Sequence, residues 1–447
     1  MRATLGWAEI DRERKREIIE AIASGSATRG PTHLELDLTD RCNVDCYFCN
    51  QMEVRTTRQL PLERVVALVD ELAERGLAAV RLSGGGDPLA HRQIVPVLDH
   101  LASRGVVVDN LTTNGALLSP EVAERLVLHR AREVIVSMNA ADAADYARMM
   151  QVRPETFQRV TDNVRGLLER RAGGVHPEVV VQFLLDRQNF RRLPAMYDLG
   201  RSLGADRIAV GLVLPIPNQR IDSTRLINPG HGQELRPYVE SVLRRDRRAG
   251  RLQISFPWPE WNDALAEIRS KLQAPAREIN PIAPSYDETD NGWCFFGWFS
   301  AVVRGNGDLH PCCMLMQPQY EPLGNLGNGD GSFMSHWAGP TFRRMREEMR
   351  ELFLSRGEAG RHPERFKILK PACTTPYRCF HKNHAIRYDQ EFFRELSAAL
   401  EKVRPQRSGW RRALTRLLPS RFARHHTVGE LPSVRSPGLG LRGELSE

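Results

Sequence analysis

The run Cys42-Asn43-Val44-Asp45-Cys46-Tyr47-Phe48-Cys49 packs three thiols into eight residues, at spacings of four and three. Just before it, Leu34, Leu36 and Leu38 alternate with Glu35, Asp37 and Thr39. A period of two predicts a strand ending near Thr39, after which a loop carries the cysteines. Iron–sulfur clusters are held by cysteine thiolates, normally four. Three local thiolates therefore leave one iron without a protein ligand, and an open iron is where a substrate or cofactor can chelate. The competing readings are a zinc site or three unrelated thiols. Structural zinc takes four ligands, and no fourth Cys or His lies close by.

Beyond the cysteines, helical and strand patterns alternate. Val65, Val66, Leu68, Val69 and Leu72 recur at helical spacing between Pro61 and Arg75, and Gly76 stops that helix. Strands are expected at 78–82, 106–111, 133–137, 179–185 and 208–214, with helices at 93–104, 121–129, 156–170 and 193–203. Six such alternations argue a parallel sheet with crossover helices. Period and composition do not separate a partial barrel from a doubly wound sheet. After the second strand comes Ser83-Gly84-Gly85-Gly86-Asp87-Pro88. Glycines let backbone approach a ligand closely, and a carboxylate beside exposed carbonyls can hold an ammonium. The plainer reading is a tight turn. Asn114 and Ser137 stand at the ends of the next two strands, as ligand contacts or as cap and turn residues.

Cys-x3-Cys-x2-Cys after a first strand resembles the radical S-adenosylmethionine (SAM) superfamily, and Tyr47 fits the aromatic often found there. The resemblance implies a [4Fe–4S] cluster on Cys42, Cys46 and Cys49 whose open iron docks the methionine half of SAM. Reductive cleavage of SAM then yields a 5′-deoxyadenosyl radical that takes a hydrogen atom from substrate. It further implies an α/β fold, a partial (β/α)6 barrel with catalysis at the strands' C-terminal ends. The glycine run is similar to the family's Gly-Gly-Glu-Pro segment, which binds the SAM amino group, with Asp87 in place of Glu and one extra glycine. Gly84, Gly85, Gly86 and Asp87, with Asn114 and Ser137, are the implied SAM contacts. An external electron donor such as flavodoxin or ferredoxin is implied too.

Five cysteines remain: Cys294, Cys312, Cys313, Cys373 and Cys379. Residues 302–307 and 308–312 read as two strands about an Asn-Gly turn. A cysteine, a hairpin and a later pair resemble the SPASM/twitch extensions of radical SAM enzymes, here a small α+β domain. The count implies one auxiliary [4Fe–4S] cluster on Cys294, Cys312, Cys373 and Cys379. The wide spacing of the last pair departs from the pattern, and structural zinc stays open as the alternative. Cys313 is left over, either a small buried hydrophobe beside a ligand or a hydrogen-atom donor to a product radical.

The chain has 447 residues and a net charge of +8. Ten Lys and Arg against four Glu between Glu401 and Glu447 place most of that excess in the tail, which argues against nucleic acid as partner of the folded body. No signal peptide or membrane-length apolar run is evident, so the cysteines read as metal ligands in a reducing cytoplasm. The basic amphipathic segment 408–425 can touch an anionic membrane surface, be solvated, or pack on its own domain. The expected organisation is a helix and linker (1–30), the radical SAM core (31–225), a bridge (226–285), the auxiliary-cluster domain (286–390), and a last helix with a basic, partly disordered tail (391–447). A leader too short for a peptide-binding domain favours a small-molecule substrate, a sugar or aminocyclitol to be dehydrogenated or epimerised. The alternatives are a ribosomal peptide maturase of the SPASM type and an iron–sulfur electron-transfer or sensor protein without catalysis.

Overall fold

A computed structural model describes residues 7, 10–49, 51, 55–213, 223–254, 294–316, 320–327, 331–355, 358–369, 373 and 389–403. Strands β1 (His33–Leu36), β2 (Ala79–Leu82), β3 (Val107–Thr113), β4 (Glu133–Ser137), β5 (Glu178–Leu185) and β6 (Arg207–Leu212) lie side by side in chain order, every pairing parallel. Helices α1 (Arg12–Ser24), α2 (Leu62–Ala73), α3 (Ile94–Ser103), α4 (Pro120–Leu128), α5 (Ala143–Met150), α6 (Glu155–Arg171) and α7 (Leu193–Ser202) precede or connect them. This is the partial (β/α)6 barrel expected of the sequence.

The strand sequences explain the layering. Leu34, Leu36, Val80, Leu82, Val134 and Val136 are fully buried on one face. Helix α2 buries Val65, Leu68, Val69 and Leu72, the three-and-four spacing of an apolar stripe. Each such side chain contributes roughly 1.5–3 kcal/mol when taken from water. Several intervening strand residues are polar, Glu35 pairing with Arg81, Arg81 with Asn110, and Ser137 with Gln182, while Ile135 and Val180 form an apolar pair among them. Glu133 gathers Asn110 and Arg207 by short contacts, and Ser83 Oγ donates to Glu35 at 3.1 Å. The face away from the helices thus carries a polar, charged patch.

Past β6, helix α8 (Gly232–Asp246) leads to β7 (Leu252–Ile254), which adds in parallel to β6. The other edge is taken by the C-terminal region. Helix α9 (Phe296–Phe299) runs into β8 (Ser300–Val303), parallel to β1. β8 turns through Arg304–Gly307 into antiparallel β9 (Asp308–His310), which pairs with β10 (Gly324–Asn325). Gly307 has φ +87°, and the turn closes by Gly307 N donating to Arg304 O at 2.8 Å, so the Asn-Gly hairpin forms as expected. Helices α10 (Phe333–Trp337), α11 (Pro340–Leu354) and α12 (Gln390–Val403) complete the described chain.

Three details differ from expectation. The first strand stops at Leu36, and Thr39 makes only an isolated bridge to Gln59, because the chain turns there to meet the glycine run. Helix α5 is absent from the sequence reading; Asp142 caps it through the amides of Ala144 and Asp145. The segment read as a bridge, with a helix expected from Tyr238 to Arg248, also supplies a strand to the sheet. No helix among the described residues is long and apolar enough to cross a membrane. The tail from 404, with its basic segment, lies outside the described residues.

Candidate active site

The cysteine loop is held against the glycine run by backbone bonds. Gly86 N donates to Thr39 O and Asp87 N to Arg41 O, both at 2.9 Å. Glycine is demanded at each position. A Cβ on Gly84 (φ +107°) would lie 1.6 Å from Asp37 Oδ1, one on Gly85 2.2 Å from Asp40 Oδ1, and one on Gly86 1.9 Å from Arg41 O. The sequence motif is thus a close-packed seam, with the cysteines and the glycines on its two sides.

Asp87 is buried within that seam and has an internal task. Its carboxylate accepts from Asn114 N at 2.7 Å, Thr113 Oγ1 at 2.9 Å and Leu89 N at 2.9 Å. Burial still lifts its pKa above the ordinary carboxylate value, against those bonds. Asn114 in turn donates through Nδ2 to Asn43 Oδ1 at 2.8 Å and stands 3.9 Å from Cys42 Sγ. Asp87 and Asn114 therefore link the ends of β2 and β3 to the cysteine loop. Ser137 is half-buried at the end of β4.

Burial pushes the thiols of Cys42 and Cys46 up, so their thiolate forms call for a nearby cation. Arg55 gives one, with Nη2 3.1 Å from Cys49 Sγ and Nη1 donating to Val44 O at 3.2 Å. Burial lowers the Arg55 pKa, but Cys49 and Cys42 outweigh it and the net shift is upward. Among the described residues no three Cys, His, Asp or Glu side chains converge on a point that one ion could fill. A lone zinc needs donors at about 2.0–2.3 Å from a common centre, whereas a cubane takes each thiolate at a different iron. A donor set of three thiols on one loop, with the Arg55 cation beside them, fits the cluster.

Two further groups were not legible in the sequence. Tyr47 donates its hydroxyl to fully buried Asp186 at 2.5 Å, and the Arg225 guanidinium lies 3.6 Å from the Tyr47 ring centroid and 3.2 Å from Asp186. Arg304, at the end of β8, reaches Asp40 at 3.4 Å, Asp37 at 3.9 Å and the Met316 carbonyl at 3.3 Å. Burial and Glu35 hold the Asp37 carboxyl well above its usual range, against the pull of Arg304 and of the Gly85 amide that donates to it at 3.1 Å. Partners so distant in the chain leave no local signal.

Cys294, Cys312 and Cys373 are half-buried, and Cys312 leads into the short turn Cys313–Leu315. Cys379 lies outside the described residues. Cys313 is half-buried, and it and Glu35 are among the groups whose charge acts on Arg81 of β2.

The sequence matches the radical SAM superfamily over residues 36–199 and the SPASM iron–sulfur cluster-binding domain over 294–359. A PqqA peptide cyclase of Streptomyces rochei is 31% identical over 295 residues, which cover 64% of this chain and 70% of the relative. This chain belongs to the radical SAM superfamily. As a radical SAM enzyme with a C-terminal SPASM region, it takes a [4Fe–4S] cluster and SAM as cofactors, with further iron–sulfur binding in that region. An AdoMet-dependent heme synthase of Methanosarcina barkeri is 25% identical over 287 residues, 64% of this chain and 77% of the relative. The crystal structure of Streptococcus suis SuiB bound to S-adenosylmethionine shares the fold, with a TM-score of 0.53 at 17% identity, covering 74% of this chain and 71% of SuiB.

These relatives correct the expected substrate. The sugar or aminocyclitol reading, with dehydrogenation or epimerisation, is overturned by similarity to PqqA peptide cyclases from several bacteria and by a SuiB neighbour solved with its precursor peptide SuiA. The error came from inferring substrate size from a short leader, which says nothing of the side chains that recognise a substrate.

Proposed function

We propose that this enzyme is a peptide maturase of the SPASM type, which modifies a side chain of a ribosomally made peptide after hydrogen-atom abstraction. The observation that carries the reading is the 31% identity to a PqqA peptide cyclase across 295 residues. When bound and reduced, the cluster supplies the electron that cleaves SAM and so generates the abstracting radical. The chain's own residues do the rest. Cys42, Cys46 and Cys49 hold the cluster, and Arg55 offsets thiolate charge beside Cys49. Gly84, Gly85 and Gly86 bring backbone close to the SAM methionine group. Asp87, through Asn114 and Thr113, fixes the strand ends around it, and Ser137 stands at the next one. Cys294, Cys312, Cys373 and Cys379 are the proposed auxiliary-cluster ligands.

The polar face bearing Glu35, Arg81, Asn110 and Gln182 suits an extended peptide, whose amides and side chains demand hydrogen bonds when taken from water. Cys313, whose charge acts on Arg81 of that face, is proposed as hydrogen donor to a product radical, its S–H bond breaking as the new C–H bond forms and the thiyl radical left behind being reduced by the external electron donor. Cys313→Ala then stops turnover while SAM cleavage continues, and unimpaired turnover removes it from that role. The reading as a whole is tested with reconstituted enzyme, SAM and dithionite, supplied with short peptides encoded beside its gene. The expected result is 5′-deoxyadenosine formed in step with a modified peptide. Coupled turnover of a sugar, with every peptide recovered unchanged, would overturn it.

A further inference from the structure

The thiols of the cysteine loop meet different neighbours. Cys46 Sγ lies 3.6 Å from the thioether of Met150, whose carbonyl accepts from Asp45 N at 3.1 Å and ties the loop to helix α5. Cys49 meets a cation. Arg55 Nη2 lies 3.1 Å from its Sγ, within reach of a charge-assisted hydrogen bond to sulfur. A second bond, from Nη1 to Val44 O at 3.2 Å, fixes the guanidinium against the same loop. The third nitrogen, Nε, stands beside Nη2 on one edge of the rigid planar fork. It is buried, and it has no hydrogen-bond partner among the described residues. A buried N–H left so costs about 1–3 kcal/mol, and a native fold calls for a reason to keep it, a redox role among them. An acid competing for Arg55 is Asp45, 3.9 Å from Nη1 and half exposed. A pair so open to water is worth about 0–1 kcal/mol, so the cation stays available to sulfur.

We propose that Arg55 sets the reduction potential of the cluster carried by Cys42, Cys46 and Cys49, donating to sulfur on the Cys49 side and so raising that potential. This rests on the three cysteines being its ligands. Taking up one electron adds negative charge to iron and sulfur. A fixed cation with its N–H groups on that sulfur stabilises the reduced form more than the oxidised one. No proton moves, because a guanidinium keeps its charge throughout. The electron is supplied by the external donor, and a higher potential makes that transfer easier. Arg55 itself carries no reacting atom.

The test is a redox titration of the reconstituted full chain followed by electron paramagnetic resonance, first without SAM. The relevant signal is the one lost in the Cys42/Cys46/Cys49→Ala variant. If that variant keeps the signal, the ligand reading itself fails, and the inference with it. Arg55→Met should lower the midpoint by the equivalent of about tenfold in the reduction equilibrium, about 59 mV for one electron. Arg55→Lys keeps the charge without the fork, and its midpoint should fall less. An unchanged midpoint in Arg55→Met overturns the proposal, as does a shift seen only with SAM, which would place the cation on the SAM carboxylate instead. If Arg55→Met takes up no cluster, the wild-type chain grown with guanidinium-labelled nitrogen-15 arginine decides. A nitrogen coupling to the reduced cluster in pulsed resonance then supports the contact, and its absence overturns it.

Discussion

Single side chains decide the seam between the cysteine loop and the glycine run. Gly86→Ala puts a Cβ 1.9 Å from the Arg41 carbonyl, where only backbone can yield. We expect a cost of about 1–3 kcal/mol and loss of SAM binding, read by denaturant unfolding and by SAM titration of the reconstituted protein. Wild-type SAM affinity in that variant would show that the seam does not seat the cofactor. Arg304 is buried against Asp37 and Asp40, so Arg304→Met leaves two acids without their cation. Removing one partner of a buried pair costs about 3–5 kcal/mol, and Arg304→Lys should recover part of it in the same unfolding measurement. The cysteine triad, the three glycines, Asp87 and Asn114 were all legible in the sequence, because each belongs to a run with its own local chemistry. Arg55, Asp186, Arg225 and Arg304 were not, since their meaning depends on partners brought together by the fold.

Helices and strands fared by the strength of their patterns. The six barrel strands and the helices between them carry long apolar periods, and the structure has them within a few residues. Helix α5 has eight residues and follows the weak signal Ala140-Ala141-Asp142, so only packing against the cysteine loop reveals it. Helix α1, expected within the N-terminal helix and linker, is clamped to α12. Trp7 Nε1 and Lys15 Nζ both reach Asp389, at 2.8 and 2.7 Å, and the Trp7 ring packs on Phe392. Asp389 also accepts from Phe392 N at 2.9 Å and so caps α12. Burial raises the Asp389 carboxyl, but Lys15 and these donors outweigh it and its pKa is lowered. A lowered carboxyl pKa stabilises the fold above the unfolded-state value, and that stability is lost as pH falls through the folded value. Asp389→Asn should therefore melt below wild type at neutral pH, with the gap closing as pH falls through the lowered folded-state value. A gap independent of pH would mean that the charge is not what holds the helices.

Across the molecule, one sheet joins the two regions that carry cysteines. β8 lies directly against β1, and β9, which leads to Cys312, pairs with β8, so a single strand stands between it and the strand leading to Cys42. That adjacency was hidden in the sequence, where some 270 residues separate them. The central claim is that the first cysteine group holds a cluster that cleaves SAM. Its most direct test is iron and sulfide per chain after anaerobic reconstitution, for wild type and the Cys42/Cys46/Cys49→Ala variant, with SAM cleavage assayed under dithionite. The account predicts about eight irons in wild type and about four in the variant, with cleavage in wild type alone. Equal iron in the two proteins, or 5′-deoxyadenosine from the variant, would contradict it.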